Sequence, residues 1–329
     1  MHSTKMKAIV CTKYGPPEVL QLKEVEKPVP KKNEVLIKIH ATAVTASDCI
    51  ARAFNIPYNH WFPKGMFMEL LMGLVLGFGK PRNPVMGMVL SGKIESRGKN
   101  VQRFKQGDQV FGWTLNSGLS LQLGTYAEYK CLPQNSVLAK KPANMDFKEA
   151  AAIPYGGLIA LHYIRKGKIQ PGYKVLIYGA SGAIGTAAVQ IAKHLGAHVT
   201  GICSTRNLEL VRSLGADKVI DYTAENPEDE IETYDFILDA VGKRKQSELK
   251  TYCESVLNPK GRSISVDDGS PKADNKGLSF LKQMVETGDL KPVIDSSYPL
   301  EEMVDAHRYV DQGHKQGNVI ITIDHKNDK

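Results

Sequence analysis

The chain has 329 residues, long enough for two ordinary domains, and its 42% hydrophobic and 24% charged residues exclude a disordered chain. The net charge of +8 comes from scattered Lys and Arg residues. It predicts a solvated basic surface, or one that attracts an anionic cofactor. A nucleic-acid partner is not favoured, because nucleic-acid binding needs a contiguous stripe of basic residues or a known binding module. The five Cys residues include no Cys-x-x-Cys pair, which indicates free thiols in a reducing compartment rather than a disulfide framework.

Neither a signal peptide nor a membrane-spanning segment is predicted. Residues 1–10 lack the apolar core of a secretory signal. The apolar run at 66–79 contains Glu69 and has 14 residues, whereas a membrane span needs about 20. We therefore expect a cytoplasmic protein with no membrane partner.

The first part of the chain predicts mostly β structure. Apolar and polar residues alternate in segments bounded by Gly and Pro turns, a pattern typical of half-buried strands. The predicted strands are 6–10, 34–40, 85–94, Gln109–Trp113 and 125–132. Gly15-Pro16-Pro17 and residues 28–33 indicate a turn-rich connector between the first two.

From residue 147 onward, predicted helices and strands alternate. A helix at 147–165, capped by Asp146, comes first. Strands are then predicted at Lys174–Tyr178, His198–Cys203, Lys218–Asp221, 236–240 and 262–266, with helices at 182–195, 208–214 and 278–286. This alternation predicts a parallel, doubly wound sheet. A helix at 301–310 and a strand at 318–323 complete the chain.

Three glycines stand between the apolar strand at Lys174–Tyr178 and the helix that follows it. Gly179 permits a tight turn, Gly182 removes a side chain where a pyrophosphate must approach the backbone, and Gly185 lets the helix lie close to the sheet. Phosphates would then meet unpaired N–H groups and the positive end of the helix dipole. The pattern predicts a dinucleotide site; the alternative is tight packing of strand and helix alone.

The end of the next strand distinguishes NADPH from NADH. An Asp or Glu about 20 residues past the first glycine usually binds the ribose hydroxyls of NAD. This chain has Ser204, Thr205 and Arg206 there, and its first acid is Glu209. A guanidinium pairs with a 2′-phosphate and the two hydroxyls can donate to it, so NADPH is predicted. The alternative is that Arg206 is a solvated residue at a helix start.

The whole set of motifs resembles the medium-chain dehydrogenase/reductase superfamily, in its zinc-independent quinone oxidoreductase-like branch. The resemblance covers nearly the whole chain, and it rests on segments such as MKAIVCTKYGPPEVLQL, RFKQGDQVFG, GTYAEYKCLP, GASGAIGTAAVQIAKHLGAHVTG, LGADKVIDY and DFILDAVG. It implies an α/β protein in which residues 1–153 and 291–329 form a GroES-like β-rich catalytic domain. Residues 154–290 would form a Rossmann dinucleotide-binding domain with a doubly wound parallel sheet.

The resemblance also bears on metals, because alcohol dehydrogenases of the superfamily bind a catalytic zinc through Cys, His and Cys. The first Cys corresponds to Thr45 and the His to Met88, and residues 99–124, where a structural zinc lobe would lie, contain no Cys. Thr and Met are poor zinc ligands, so no metal site is predicted. Direct hydride transfer from NADPH to an electron-poor acceptor remains feasible. We therefore expect a zinc-free NADPH-dependent reductase of small apolar quinones or α,β-unsaturated carbonyls.

The resemblance assigns roles to individual residues. It places the pyrophosphate on the backbone of Ser181, Gly182, Ala183 and Ile184. It places the 2′-phosphate on Ser204, Arg206 and Tyr222, and lines the ribose and nicotinamide with Val241, Ser265 and Val266. Thr45 and Tyr58 would orient a carbonyl oxygen or supply a proton. Packing is the alternative for Tyr222 and Thr45.

Two segments depart from the simple quinone reductases that the chain resembles. Residues 55–84 form a longer, aromatic and Met-rich segment, which predicts either an apolar lid over a bulky substrate or a packed satellite core. Only about a dozen residues separate Val266 from the helix at 278–286. Family members usually place strands there that pair across a dimer, so the sequence leaves a homodimer open.

Two other functions remain as alternatives. One is a nucleotide-binding redox sensor, or a structural or RNA-binding protein, without turnover; NADPH binding without oxidation, or salt-sensitive RNA binding, would favour it. The other is an alcohol dehydrogenase with residual zinc, which stoichiometric zinc in the purified protein would favour.

Overall fold

The computed structural model describes residues 4–55, 73–74, 76–114, 122–243 and 246–325. These residues fall into two compact units. The first unit lies within Met1–Pro154, Asp274–Leu278 and Ile294–Lys329, and the second within Tyr155–Ala273 and Ser279–Val293. The first unit therefore takes residues from both ends of the chain.

The elements follow the predicted change from β structure to alternating strands and helices. The strands are β1 (Lys5–Cys11), β2 (Leu20–Glu26), β3 (Glu34–Val44), β4 (Val89–Arg97), β5 (Gln109–Trp113), β6 (Tyr129–Pro133), β7 (Val137–Lys140), β8 (Lys174–Tyr178), β9 (His198–Cys203), β10 (Lys218–Asp221), β11 (Tyr234–Asp239), β12 (Leu257–Ser265), β13 (Ile294–Pro299) and β14 (Asn318–Thr322). The helices of the described residues include α1 (Ala46–Ala53), α2 (Phe147–Ala152), α3 (Pro154–Gly167), α4 (Ala183–His194), α5 (Leu208–Ser213), α6 (Glu248–Ser255), α7 (Asn275–Thr287) and α8 (Met303–Asp311).

The first unit is built around β3. This strand pairs antiparallel with β4 along one edge, and with β6 and then β14 along the other. The sheet continues from β4 to β5 and β7, and from β14 to a parallel β13. Residues on both faces of β3 are buried, for example Val35 and Ile37 on one face and Leu36 on the other. This is the GroES-like β-rich domain that the sequence predicted.

The second unit contains a five-stranded sheet in the order β10-β9-β8-β11-β12, and every pair in it is parallel. Val175, Leu176 and Ile177 of β8 are fully buried, as expected for a strand covered on both faces. The chain runs outward from β8 on one side and returns to β11 on the other. Open parallel sheets bind ligands at such a reversal, beyond the carboxyl ends of the strands. The doubly wound sheet is thus confirmed.

The helix predicted at 147–165 is two helices in the structure. Asp146 caps α2 as predicted, since its side chain accepts from the backbone N–H of Glu149. The first helix ends before Pro154, which lacks the N–H that a continuing helix needs and instead begins α3. The prediction of a single helix was therefore wrong at this proline.

Several short elements were not predicted, namely β2, α1, β7, α6 and β13. Most residues of β2 are exposed, so its Lys and Glu side chains hide the apolar alternation. Residues 266–274, between β12 and α7, contain no strand, in agreement with the short connector in the sequence. No helix within the described ranges has the length and apolar character needed to cross a membrane.

Candidate functional site

The glycine turn lies at the carboxyl end of the central strand β8. Gly179 has φ +80°, a conformation that favours glycine. Its N–H and that of Ala180 both donate to the carbonyl of Ile202 on β9, at 3.0 and 2.9 Å. A Cβ on Gly179 would lie 2.4 Å from Cγ2 of Val241. The turn is therefore fixed between the ends of β9 and β11.

Gly182 and Gly185 differ in what requires the missing side chain. A Cβ on Gly185 would lie 2.1 Å from the carbonyl oxygen of Gly179, so packing requires glycine there. Gly182 has φ −79° and ψ 174°, which any residue adopts. The nearest neighbour of a Cβ on Gly182 would be the Gly179 oxygen at 3.7 Å. Neither packing nor conformation explains Gly182, whereas close approach of a ligand to the backbone does.

The helix that begins after Gly182 presents its N-terminus at this space. The first N–H groups of an α-helix have no acceptors within the helix, and Gly182 has no side chain that could cap them. The first turn of α4 contains no acidic residue, so its positive dipole end is not offset locally. The backbone from Ser181 to Ile184 can thus accept an anion, and these residues fit the pyrophosphate of a nicotinamide dinucleotide.

Asn207 connects the glycine turn to the end of β9. Its amide Nδ2 donates to Oγ of Ser181 at 3.0 Å and to Oγ of Ser204 at 3.1 Å. Asn207 is buried, and the short 3-10 helix Thr205–Asn207 places it there. The role of Asn207 was not predicted from the sequence. The polar run from Ser204 to Asn207, directly after an apolar strand, was the signal that could have indicated it.

The hydroxyl of Thr205 is occupied in the structure. It donates to Oδ2 of Asp221 at 2.5 Å and lies 2.8 Å from the hydroxyl of Thr223. Partial burial raises the pKa of Asp221, but hydrogen bonds from Thr205 and Thr223 outweigh this effect and lower the pKa below its ordinary value. Asp221 is therefore an anion at neutral pH. The side chains of Ser204, Arg206 and Tyr222 remain as the candidates for a 2′-phosphate.

Two large side chains at the carboxyl edge of the parallel sheet are exposed. Tyr222, just after β10, is 48% exposed, and Val241, just after β11, is 37% exposed. Both follow the carboxyl ends of strands of the parallel sheet, where a ligand is expected. A bound ligand at this edge would cover them.

The predicted residues at the end of β12 belong to a hydrogen-bonded network. The hydroxyl of Ser265 donates to Oδ2 of Asp239 at 2.8 Å. The N–H of Val266 donates to the carbonyl of Asp239 at 3.0 Å, and its carbonyl accepts from the hydroxyl of Tyr163 at 2.7 Å. Ser265 and Val266 are thus held in place by their neighbours in the second unit.

Thr45 lies in the first unit and caps α1. Its hydroxyl donates to Oδ2 of Asp48 at 2.6 Å, and the side chain is buried. Met88 is also buried. Across the described ranges, no group of three or more His, Cys, Asp and Glu side chains could hold a metal ion. Tyr58 and most of the segment 55–84 lie outside the described residues.

A polar cluster joins α1 to α8 in the first unit. Nη1 of Arg52 lies 3.0 Å from Nδ1 of His307, and Nη2 of Arg52 pairs with Oδ2 of Asp311 at 2.8 Å. Because Arg is always a donor, Nδ1 of His307 accepts, and the ring is neutral with its proton on Nε2. Burial, helped by Arg52, lowers the pKa of His307 to about 3, whereas burial raises the pKa of Asp48 to about 6.

These two shifts predict opposite effects of pH on stability. The pKa of His307 falls from 6.5 to about 3 on folding. Its contribution to the free energy of unfolding is therefore fully present above pH 6.5 and is lost progressively as the pH falls from 6.5 through the folded value. The pKa of Asp48 rises from 3.8 to about 6, so its contribution is present below pH 3.8 and lost as the pH rises through about 6.

We expect His307→Gln to reduce the acid-induced fall in the free energy of unfolding between pH 6.5 and 4, and Asp48→Asn to make that fall steeper. Urea unfolding at a series of pH values measures how the free energy of unfolding changes with pH in each variant. The same dependence on pH in wild type and His307→Gln would show that His307 is not the buried neutral group described here.

Known proteins resemble this chain in both sequence and fold. The alcohol dehydrogenase GroES-like domain family model matches residues 31–143, and two zinc-binding dehydrogenase models match 183–288 and 270–321. The chain is 32% identical to the 2-methylene-furan-3-one reductase of Solanum lycopersicum, over 97% of this chain and 79% of that protein. It is 30% identical to the chloroplastic NADPH-dependent alkenal/one oxidoreductase of Arabidopsis thaliana, over 96% of this chain and 79% of that protein.

The fold comparison agrees with the sequence comparison. The structure of the quinone oxidoreductase from Coxiella burnetii matches with a TM-score of 0.79 and 25% identity, over 97% of this chain and 100% of that one. These matches span both units and are consistent with the GroES-like and Rossmann domains described above. The chain therefore belongs to the medium-chain dehydrogenase/reductase superfamily, in its quinone oxidoreductase-like branch.

Proposed function

We propose that this protein is an NADPH-dependent, zinc-free reductase of quinones or α,β-unsaturated carbonyls. The observation that carries the proposal is the open space at Gly182, beside a helix N-terminus with no acid in its first turn. A pyrophosphate needs such a place, where backbone N–H groups can be approached without a side chain between.

The choice of NADPH rests on the end of β9. Arg206 supplies a cation for a 2′-phosphate, and Ser204 supplies a hydroxyl that Asn207 orients. The neighbouring anion Asp221 is bound by the hydroxyls of Thr205 and Thr223. The name of the Arabidopsis relative, an NADPH-dependent enzyme, supports the same choice.

The choice of acceptor rests on the residues where zinc ligands would be needed. Thr45 and Met88 supply neither a thiolate nor an imidazole, and the hydroxyl of Thr45 already donates to Asp48. These two residues therefore cannot hold a zinc ion that would polarise an unactivated alcohol or ketone. Bound NADPH supplies a hydride, which an electron-poor carbon accepts directly. The names of both plant relatives, an alkenal/one oxidoreductase and a methylene-furanone reductase, fit such acceptors.

The protein side chains would then bind and orient rather than carry out covalent steps. Val241, Ser265 and Val266 would line the ribose and nicotinamide, and the network around Asp239 holds them rigidly. Tyr58 remains a candidate for orienting the acceptor carbonyl, whereas the hydroxyl of Thr45 already donates to Asp48. The reduced acceptor also needs one proton, which solvent water or the hydroxyl of Tyr58 would supply.

The direct test is NADPH oxidation with a panel of quinones and enals, with saturated ketones as controls. We expect turnover with at least one electron-poor class and none with the saturated compounds. Absence of oxidation with the entire panel would contradict the proposal. NADPH binding without turnover would favour the redox-sensor alternative, and zinc-dependent alcohol oxidation would favour the alcohol dehydrogenase.

A further inference from the structure

A buried ion pair stands at the carboxyl end of β11, beside the turn 240–243. Oδ2 of Asp239 lies 2.6 Å from Nζ of Lys250, and the two side chains are only 2% and 3% exposed. A surface ion pair would need no explanation, but transferring both charges from water into the interior costs free energy. An apolar pair of similar volume is often equally stable. The pair therefore points to a role in geometry rather than in stability alone.

The carboxylate of Asp239 holds four groups at once. Oδ1 accepts from the N–H groups of Val241 and Gly242, each at 3.1 Å. Oδ2 accepts from the hydroxyl of Ser265 at 2.8 Å and from Lys250. One side chain thus fixes the turn after β11 and the end of the neighbouring strand β12.

Lys250 holds the same turn from its other side. Its ammonium donates to the carbonyl of Gly242 at 2.8 Å, in addition to its bond with Asp239. The backbone of Lys250 is fixed as well, because its N–H donates to Oγ of Ser247, the residue that caps α6. The carboxylate of Asp239 therefore binds N–H groups of the turn 240–243, and the ammonium of Lys250 binds a carbonyl of the same turn.

The turn held by this pair lies directly against the glycine turn. Val241 is the nearest neighbour of Gly179, since a Cβ there would lie 2.4 Å from Cγ2 of Val241. The ends of β8, β11 and β12 are consequently set relative to one another through Asp239. Val241 and Ser265 are also the residues proposed above to line the ribose and nicotinamide.

We propose that Asp239 and Lys250 are positioning residues for the nicotinamide half of the cofactor. This inference rests on the proposed function, because it requires NADPH to occupy the glycine turn. The pair acts through Val241, Gly242 and Ser265 and not on the adenine half, whose candidate residues lie at the ends of β9 and β10. Loosening the pair should therefore affect the two halves of the cofactor unequally.

The test uses Lys250→Met and the double variant Lys250→Met/Asp239→Asn. The single variant leaves an unpaired buried carboxylate and can fail to fold, whereas the double variant removes both charges and keeps the side-chain volumes. Asn at 239 can still accept from the turn N–H groups, which favours folding. The Lys250 bonds to residue 239 and to the carbonyl of Gly242 are lost, so the turn is held from one side only. Lys243→Met is the matched control, since Lys243 belongs to the same turn but its side chain is 50% exposed and pairs with Asp268.

Calorimetric binding of NADPH and of adenosine 2′,5′-bisphosphate, a fragment that lacks both the nicotinamide and its ribose, separates the two halves. We expect the double variant to bind NADPH about tenfold more weakly and the fragment within about twofold of wild type. In turnover, we expect kcat to fall by about 10- to 100-fold, with a smaller change in the KM for the acceptor. Lys243→Met should match wild type in every measurement.

If the double variant loses affinity equally for both ligands, or binds both as tightly as wild type, the inference is overturned and the pair has a structural role only. An equal loss of NADPH affinity in Lys243→Met would overturn it as well. If wild type binds NADPH without oxidising any acceptor, the proposed function fails at the acceptor step, but the binding comparison still tests the inference.

Discussion

Gly182→Ala is expected to abolish most NADPH binding while leaving the stability of the protein nearly unchanged. A Cβ at this position has no neighbour nearer than 3.7 Å, and φ of −79° suits alanine. The loss of a good N-cap residue and the reduced entropy of the unfolded chain roughly cancel, so the free energy of unfolding should change by less than about 1 kcal/mol. The added methyl group would instead occupy the approach of the pyrophosphate. We expect affinity to fall by at least about 30-fold, from overpacking and displaced hydrogen bonds.

Gly185→Ala is the matched control, because it adds the same methyl group one helical turn away. Its Cβ would lie 2.1 Å from the oxygen of Gly179 and 2.7 Å from Cα of Ala180, both backbone atoms that cannot move freely. We expect it to lower the free energy of unfolding by at least about 2 kcal/mol. Urea unfolding should show a loss of stability for Gly185→Ala and not for Gly182→Ala. NADPH titration should then show a loss of affinity in Gly182→Ala that no loss of stability accompanies. Wild-type NADPH affinity in Gly182→Ala would place the pyrophosphate elsewhere.

Arg206→Glu is expected to remove the preference for NADPH over NADH. The substitution replaces a cation that can pair with the 2′-phosphate by an anion that repels it. Charge-assisted hydrogen bonds contribute about 1.5–3 kcal/mol each, so kcat/KM for NADPH should fall by about 10- to 150-fold. The value for NADH, which lacks the phosphate, should change only a few fold. The ratio of the two kcat/KM values is the quantity to measure.

Arg212→Glu provides the control for a general effect of charge. Arg212 lies on α5 in the same unit, its side chain is 51% exposed, and it pairs with Glu209. It should therefore alter the kcat/KM ratio by no more than about twofold, since exposed ion pairs have small effects. An unchanged ratio in Arg206→Glu would move the phosphate site away from the end of β9.

The features that were predictable from the sequence are those encoded locally. Gly179 and Gly185 sit where the backbone conformation or a close approach requires glycine, so their spacing identified the turn. The buried strands β8 and β9 were predicted with the observed bounds, because continuous apolar runs end at turn residues. The sequence also contained a missed local signal, the Thr45-Ala-Ser-Asp48 capping box that begins α1.

The features that were not predictable depend on contacts between distant residues. Asn207 bonds Ser181, which is 26 positions away, and only the folded sheet brings the two together. Lys250 is a stronger example, because lysine is among the residues least often buried and nothing local marks it as a partner of Asp239. Similarly, the position of Thr205 after β9 predicted a hydroxyl that could donate to the 2′-phosphate. In the fold, this hydroxyl donates to the carboxylate of Asp221.

The central claim is hydride transfer from NADPH without a metal, and isotope transfer tests it most directly. Chelator-treated protein would be given NADPH carrying two deuterium atoms at C4 of the nicotinamide, together with an enone, and the product analysed by mass spectrometry. We predict one carbon-bound deuterium per product molecule and a rate that chelation does not change. A product without deuterium, or turnover that is lost on chelation and restored by zinc, would contradict the account.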